Sequence, residues 1–330
     1  WILDPGATHA RQVVLNAGDE PGRVTEGPAG RAFVALRGSA AVAEVDVTLG
    51  TVVARHDACP APRGLAWSQP KQTLTVACAN GTLARLRPNG RVLQHPAEDL
   101  RDVVQRKDDV LVSTFRAAGL YSVTDDGTAV PIPSRIAHRS VAWRVVAGPA
   151  GEVMMLNQRT ARSVAADACG VTAYAAIVQS EVTALNGASG AMPLEAVLAV
   201  DLALDAEGRW AIASAGNRTV VRQNGLAVLA LRTLGQPIAV GFRDDTLIAF
   251  SREPAQFELF APDETSPTVV ALPASSVRDT AHDVFHRATP AGLACASCHP
   301  EAGDDGTVWS FPEGLRRTQP LRGGLKATAP

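Results

Sequence analysis

Long apolar runs are missing from this 330-residue chain. None approaches the ~18 residues that a membrane-spanning helix needs. Charge of one sign is missing too: 31 Lys and Arg against 33 Asp and Glu leave a net charge of −2. That balance argues against nucleic acid as the main partner. No charged-then-apolar signal segment precedes the opening Trp1, so the chain reads as trimmed at its start. Cysteines are few, five in all, an odd number. What remains is ordinary globular material, 46% hydrophobic and 19% charged, enough for a sizeable core. Length alone suggests about two domains.

Most of the chain repeats one β theme. Between residues 23 and 273, apolar and polar positions alternate in short runs, separated by turns. The clearest copies run from Leu74 to Leu93 and from Trp210 to Leu229. The pairs Asn80-Gly81, Asn89-Gly90, Asp126-Gly127 and Asn224-Gly225 mark hairpin turns that need positive φ. Equivalent second-strand positions fall at Phe33, Leu74, Val110, Val153, Trp210 and Leu247, with intervals of 41, 36, 43, 57 and 37. Four-stranded propeller blades recur every ~40–50 residues, so the spacing predicts an all-β propeller over residues 1–275. The long interval places an insertion around residues 168–196, which holds Cys169. The opening Ile2-Leu3 and Gln12 to Leu15 read as the outer hairpin of a further blade. Seven blades are therefore expected, with six as the alternative and a pair of β-sandwiches as the competing architecture. His9, His56, His95 and His138 are scattered over different blades and read as surface or turn residues. Asp125-Asp126 and Asp244-Asp245 read as solvated hairpin tips.

The chemistry sits near the end, in Cys295-Ala-Ser-Cys298-His299. Cys-x-x-Cys-His is the attachment signature of haem c. Each thiol adds to one vinyl group, and the adjacent histidine falls beneath the iron as its proximal ligand. A thioredoxin-like redox pair needs a strand–helix context, whereas a loop with Pro290 and Gly292 leads into this motif. A four-ligand zinc site needs further Cys or His nearby, and none follows His299. One covalent haem c is therefore the expected cofactor. Haem c is attached outside the cytoplasm, where disulfides persist. A Cys59–Cys78 bridge is then reasonable; two buried free thiols are the alternative.

Two resemblances extend this reading. Pro62-Arg-Gly-Leu-Ala-Trp67 resembles motifs of surface-layer and lactonase-type repeat propellers. Asp283-Val-Phe285-His286 leading into Cys295–His299, with Asp304-Asp305-Gly306-Thr-Val-Trp309-Ser-Phe311 and Arg316-Arg317 after it, resembles the first haem segment of bacterial dihaem cytochrome c peroxidases. The resemblance implies a small, mainly α cytochrome c-type domain over residues 276–330, truncated, with its second attachment motif outside this sequence.

No Met or His follows His299, and the three Met lie in the repeat region. His282 and His286 are then the upstream candidates for a sixth iron ligand. The alternatives are a ligand outside the sequence and a five-coordinate or water-bound iron. Arg316 and Arg317 could bond the haem propionates, and Trp309 could pack on the porphyrin. The functional expectation is an exported bacterial c-type cytochrome, periplasmic or at the cell surface. It would pass electrons to a redox protein or a small donor or acceptor, with the propeller as docking scaffold. The rivals are a dihaem peroxidase-like oxidoreductase and a propeller binding module with the haem as redox sensor.

Overall fold

Among the described residues, six four-stranded antiparallel sheets follow one another along the chain, spanning residues 21–57, 62–94, 100–131, 139–193, 199–232 and 237–271. The computed structural model describes residues 1–322 apart from 5, 7, 134–137, 162–176, 186–190 and 226, and the backbone alone of 191–193. Each sheet is a meander in which sequential strands pair, the blade unit that the spacing predicts. All six expected second-strand positions fall in second strands: Arg31–Leu36, Thr73–Cys78, Val110–Thr114, Val153–Thr160, Trp210–Ser214 and Thr246–Ser251. These strands are deeply buried, at Ala35, Leu74, Val76, Val112, Trp210, Ile212 and Leu247 among others.

Six four-stranded sheets replace the expected seven blades. The N-terminal strands Ile2–Leu3 and Ala10–Arg11 form a two-stranded ribbon. Ile2, Val13 and Leu15 pack against Leu36, Ala41, Ala43 and Val45, so the segment finds its apolar partner on the first sheet. The fourth sheet carries the extra length, between Thr160 and Val178. Cys169 and most of the expected 168–196 insertion lie outside the described residues.

The chain forms two compact units. In the first (residues 1–115 and 119–135), Phe33, Val42, Leu65, Leu74 and Val76 share one core cluster with Cys59 and Cys78, which form a disulfide with Cα atoms 6.1 Å apart. The Pro62–Trp67 motif has a packing meaning here. A Cβ on Gly64 would stand 2.6 Å from the Asp102 Cα, so the third sheet approaches closer than any side chain allows. Arg63 reaches across to Asp99 at 2.7 Å and lies over the Phe115 ring at 4.7 Å. Arg85, 1% exposed, donates to the carbonyls of Val123 and Thr124 at the next sheet's last hairpin.

The second unit (residues 116–118 and 136–330) repeats that device, with Arg222 donating to the carbonyls of Ala261 and Pro262. The acidic hairpin tips are engaged rather than merely solvated. Asp125 accepts from Lys71 at 2.8 Å, and Asp245 from Arg209 at 2.6 Å.

The segment after residue 271 belongs to the second unit. It is not the mainly α domain expected. It holds α1 (Thr280–His286), the four-residue α2 (Cys295–Cys298), a 3-10 turn at Pro300–Ala302 and a β-hairpin of Val308–Phe311 with Gly314–Arg317. Pro300 stops α2 after one turn, because the residue before a proline avoids the helical region. His299 accordingly has φ −113° and ψ 56°.

Candidate functional site

The tail runs over loops that join second to third strands, in four successive sheets. At the sixth, the Val277 amide donates to Glu253 (2.8 Å) and Arg252 to His282. At the fifth, Arg218 pairs with Asp283 at 2.6 Å and the Ala288 amide bonds the Gly216 carbonyl. At the fourth, Ile177 and Val178 pack with Cys298, Trp309 and Phe311. At the third, Arg116 donates to the Asp304 carbonyl at 3.1 Å.

The expected attachment motif sits where this path meets the fourth sheet. Gly292, with φ 71°, turns the chain into α2. The Ala294 amide donates to Ser297 Oγ, and the Ser297 amide returns to the Ala294 carbonyl. The His299 amide closes the turn on the Cys295 carbonyl. Both motif thiols are free, Cys295 exposed and Cys298 half-buried. Burial, then the charges of Asp305 and Cys295, pushes the Cys298 thiol up to about 12. Reactive or metal-bound cysteines need the opposite shift, so this cysteine stays a neutral thiol. Among the described residues no group of three or more His, Cys, Asp or Glu is arranged to hold a metal ion.

Among the described residues, His299 Nδ1 and Asp305 Oδ2 are buried without a hydrogen-bond partner. Trp309 is 7% exposed, packs against Cys298 and donates from Nε1 to Thr318 Oγ1 at 2.8 Å. The two expected propionate arginines part company. Arg316 is exposed and its guanidinium bonds the neighbouring Leu315 carbonyl, while Arg317 reaches Asp304 at 3.5 Å.

His282 and His286 stack with centroids 3.9 Å apart on α1. His286 donates from Nδ1 to the His282 carbonyl at 2.8 Å, which leaves the lone pair on Nε2. His282 accepts at Nδ1 from Arg252, which puts its proton on Nε2. Burial, His286 and Arg252 together hold His282 down to about 4. Of the two, only His286 is in the tautomer that offers Nε2 to a metal.

Reading the sequence alone misses Arg116 and Val178. Arg116 stands 188 positions before Asp304, in a loop whose next residues, Ala117 and Ala118, have φ of 61° and 42°. Nothing in a linear motif marks such a contact.

No family model matches this sequence, and no curated protein matches it. Solved structures do. A streptogramin B lyase superposes with a TM-score of 0.62 at 10% identity, over 79% of this chain and 86% of that one. Virginiamycin B lyase from Staphylococcus aureus gives 0.60 at 8%, over 79% and 87%. Kuenenia stuttgartiensis hydrazine synthase gives 0.51 at 14%, over 79% and 98%. At such identities the likeness is one of fold: the protein is an all-β propeller. No helix among the described residues is long and apolar enough to cross a membrane.

Proposed function

We propose that this protein is an exported c-type cytochrome. Cys295 and Cys298 hold one haem c through thioethers, His299 is the proximal iron ligand, and the propeller is the docking scaffold. The observation that carries the reading is the motif itself, folded as one helical turn with two free thiols and a histidine at its end. The residues present fit the group. Thiol addition moves one S–H across a vinyl double bond, and Cys295 and Cys298 are both free thiols, one at each end of a single helical turn. His299 Nδ1 is buried and has no hydrogen-bond partner among the described residues, so that nitrogen is uncommitted.

When bound, the haem supplies one-electron chemistry at iron. The chain's own part is to fix it and to dry its surroundings. Trp309, Phe311, Ile177 and Val178 keep water from the Cys298 side, and burial of this kind is one lever on potential. The Cys59–Cys78 disulfide supports an oxidising compartment. Likeness to hydrazine synthase or to the lyases transfers no activity, because function lives in the site and not in the fold.

A pyridine haemochrome spectrum tests this, on protein made with the c-type maturation machinery and washed with acid–acetone. Haem that stays with the polypeptide, with the band of two thioether links, is expected. Haem that extracts, or never appears, rejects the reading. His299→Ala is expected to change the axial-ligand spectrum while the β-type circular dichroism stays.

A further inference from the structure

We infer that the outer face of the tail hairpin, Val308–Phe311 with Gly314–Arg317, is where a small acidic redox protein docks to exchange electrons with the haem. The inference rests on the haem reading. It moves the partner's contact from the propeller to the segment laid on it.

The hairpin has two faces of opposite character. Its register pairs Trp309 with Arg316 and Phe311 with Gly314, and it pairs Val308 with Arg317 and Ser310 with Leu315. Side chains alternate across a strand, so Val308, Ser310, Leu315 and Arg317 share the face opposite Trp309. Trp309 and Phe311 pack with Cys298, so a group bonded to that sulfur begins at the hairpin's inner face. The other face meets solvent: Val308 is 57% exposed, Leu315 69% and the Arg317 side chain 62%. Val308 and Leu315 are diagonal neighbours, near enough to make one apolar spot. Single exposed apolar residues are ordinary. Two together, over an attachment cysteine, make a contact face.

Charge fixes the kind of partner. Asp304 and Asp305 lie inside, whereas Arg316 and Arg317 lie outside. Arg317 meets Asp304 at 3.5 Å, and the exposed Arg322 meets the less exposed Glu301 at 3.6 Å. These charges balance within the segment, and their layering is what a partner feels. Guanidiniums form the outer layer and carboxylates the inner one. Glu313, at the turn, is the only carboxylate between residues 308 and 322. Within a Debye length, ~8–10 Å, the nearer layer dominates. A partner that presents carboxylates around an apolar centre is complementary to it. Electron-transfer encounters are weak and bury under ~1,200 Å², so a two-stranded patch is large enough. One electron passes between the partner's centre and the haem iron, which switches between ferric and ferrous; no bond forms and no atom is transferred.

The test uses holoprotein and two blue-copper proteins as probes, one of net negative and one of net positive charge. Stopped-flow absorbance gives the second-order rate constant of electron exchange over a range of salt. The parent is expected to react faster with the negative probe at low salt, an advantage that fades as salt rises. Arg316→Glu is expected to slow that probe about three- to tenfold. Arg316→Gln with Arg317→Gln should slow it in the same direction, which guards against a folding defect in the reversed variant. Arg232→Glu makes the same reversal at an exposed position on the fifth sheet's last strand, and should stay within about twofold of the parent. Leu315→Ser is expected to slow the reaction at high salt, where steering is screened and the apolar contact remains. A faster reaction with the positive probe, an equal loss in Arg232→Glu, or unchanged rates in every hairpin variant overturns the docking face while the haem reading stands. So does a lack of exchange with either protein when dithionite still reduces the haem. A dimer in sedimentation that Leu315→Ser dissolves also overturns it, since the face would then belong to a second copy. Haem that extracts from the parent protein ends both readings, and the haemochrome spectrum shows it before any variant is made.

Discussion

The propeller and the tail laid on it are built on opposite principles. In the sheets, adjacent elements are neighbours in sequence, and buried Val, Leu, Ile and Ala do the holding. In the tail, the largest buried side chain is Trp309, and the rest is anchored by polar contacts to loops far away in sequence. Apolar burial is non-directional and cooperative, whereas exposed ion pairs are worth ~0–1 kcal/mol each. The propeller should therefore unfold as a whole and the tail should detach piecemeal.

The sharpest test pairs two tryptophans. Trp210→Ala, at a position 2% exposed in the fifth sheet, is expected to cost about 3–5 kcal/mol, read as a lower urea midpoint for the main transition. Trp309→Ala removes a side chain nearly as buried, 7% exposed. Its expected effect is confined to the tail: the main transition stays, and in protein made without haem Cys298 is alkylated faster because its apolar cover is gone. An equal loss of global stability from both variants would dissolve the distinction.

The disulfide gives the next largest effect. Cys59 and Cys78 close a loop of separation 19, for which the chain-entropy account gives roughly 3 kcal/mol. Cys59→Ser with Cys78→Ser is expected to lower the denaturation midpoint by that amount. In protein made without haem, exposure of Cys295 and Cys298 to thiol reagents should not change, since the bridge lies in the first unit. A change there would show that the tail reports on the whole molecule.

These differences track what could be read from the sequence. The second strands at Phe33, Leu74, Val110, Val153, Trp210 and Leu247 were legible because each alternates over five to eight residues between turn signals. The one-turn segment from Cys295 to His299 was legible as a unit because its spacing is local. The blade count was not, because Ile2, Val13 and Leu15 have the same pattern whether they start a sheet or lean on one. The tail misled through its resemblance. Val-Trp-Ser-Phe before Pro312-Glu313-Gly314 is a strand-and-turn signal, and it forms a hairpin with Gly314 at φ 119°. Arg116 and Val178 reach the site only through tertiary packing, which no periodicity encodes.

Acid should separate the two regions more gently. His282 has a folded-state pKa of about 4, below its ordinary 6.5. A depressed value means the neutral ring is favoured when α1 is docked. That contribution is complete above pH 6.5 and is lost progressively as pH falls towards 4. In the sheets, the Lys71 ammonium holds the Asp125 carboxyl below the usual carboxylate range, and the Arg106 guanidinium does the same for Asp109. Their contribution is complete above about pH 4 and is lost only below it. Hydrogen exchange at pH 5 should therefore show residues 277–288 opening faster than at pH 7, with the sheets unchanged. Simultaneous opening of both would refute separate anchoring.

The smallest effects distinguish two ion pairs within the propeller. Asp245 is 62% exposed and meets an Arg209 that is 39% exposed, so Asp245→Ala should cost under ~0.5 kcal/mol and vanish in salt. Asp125 also faces Arg85, 3.2 Å away and 1% exposed. Removing Asp125 leaves that guanidinium buried on uncharged acceptors, the Val123 and Thr124 carbonyls and Gln94 Oε1. A buried cation without its counter-charge is penalised even when its hydrogen bonds persist, so Asp125→Ala should cost about 1–2 kcal/mol and resist salt. Arg85→Met with Asp125→Ala should then recover most of the loss, because both the charge and its need for a partner leave together. Failure of the double variant to recover would mean that the Arg85 bonds to the next sheet's hairpin, and not its charge balance, hold the two sheets in register.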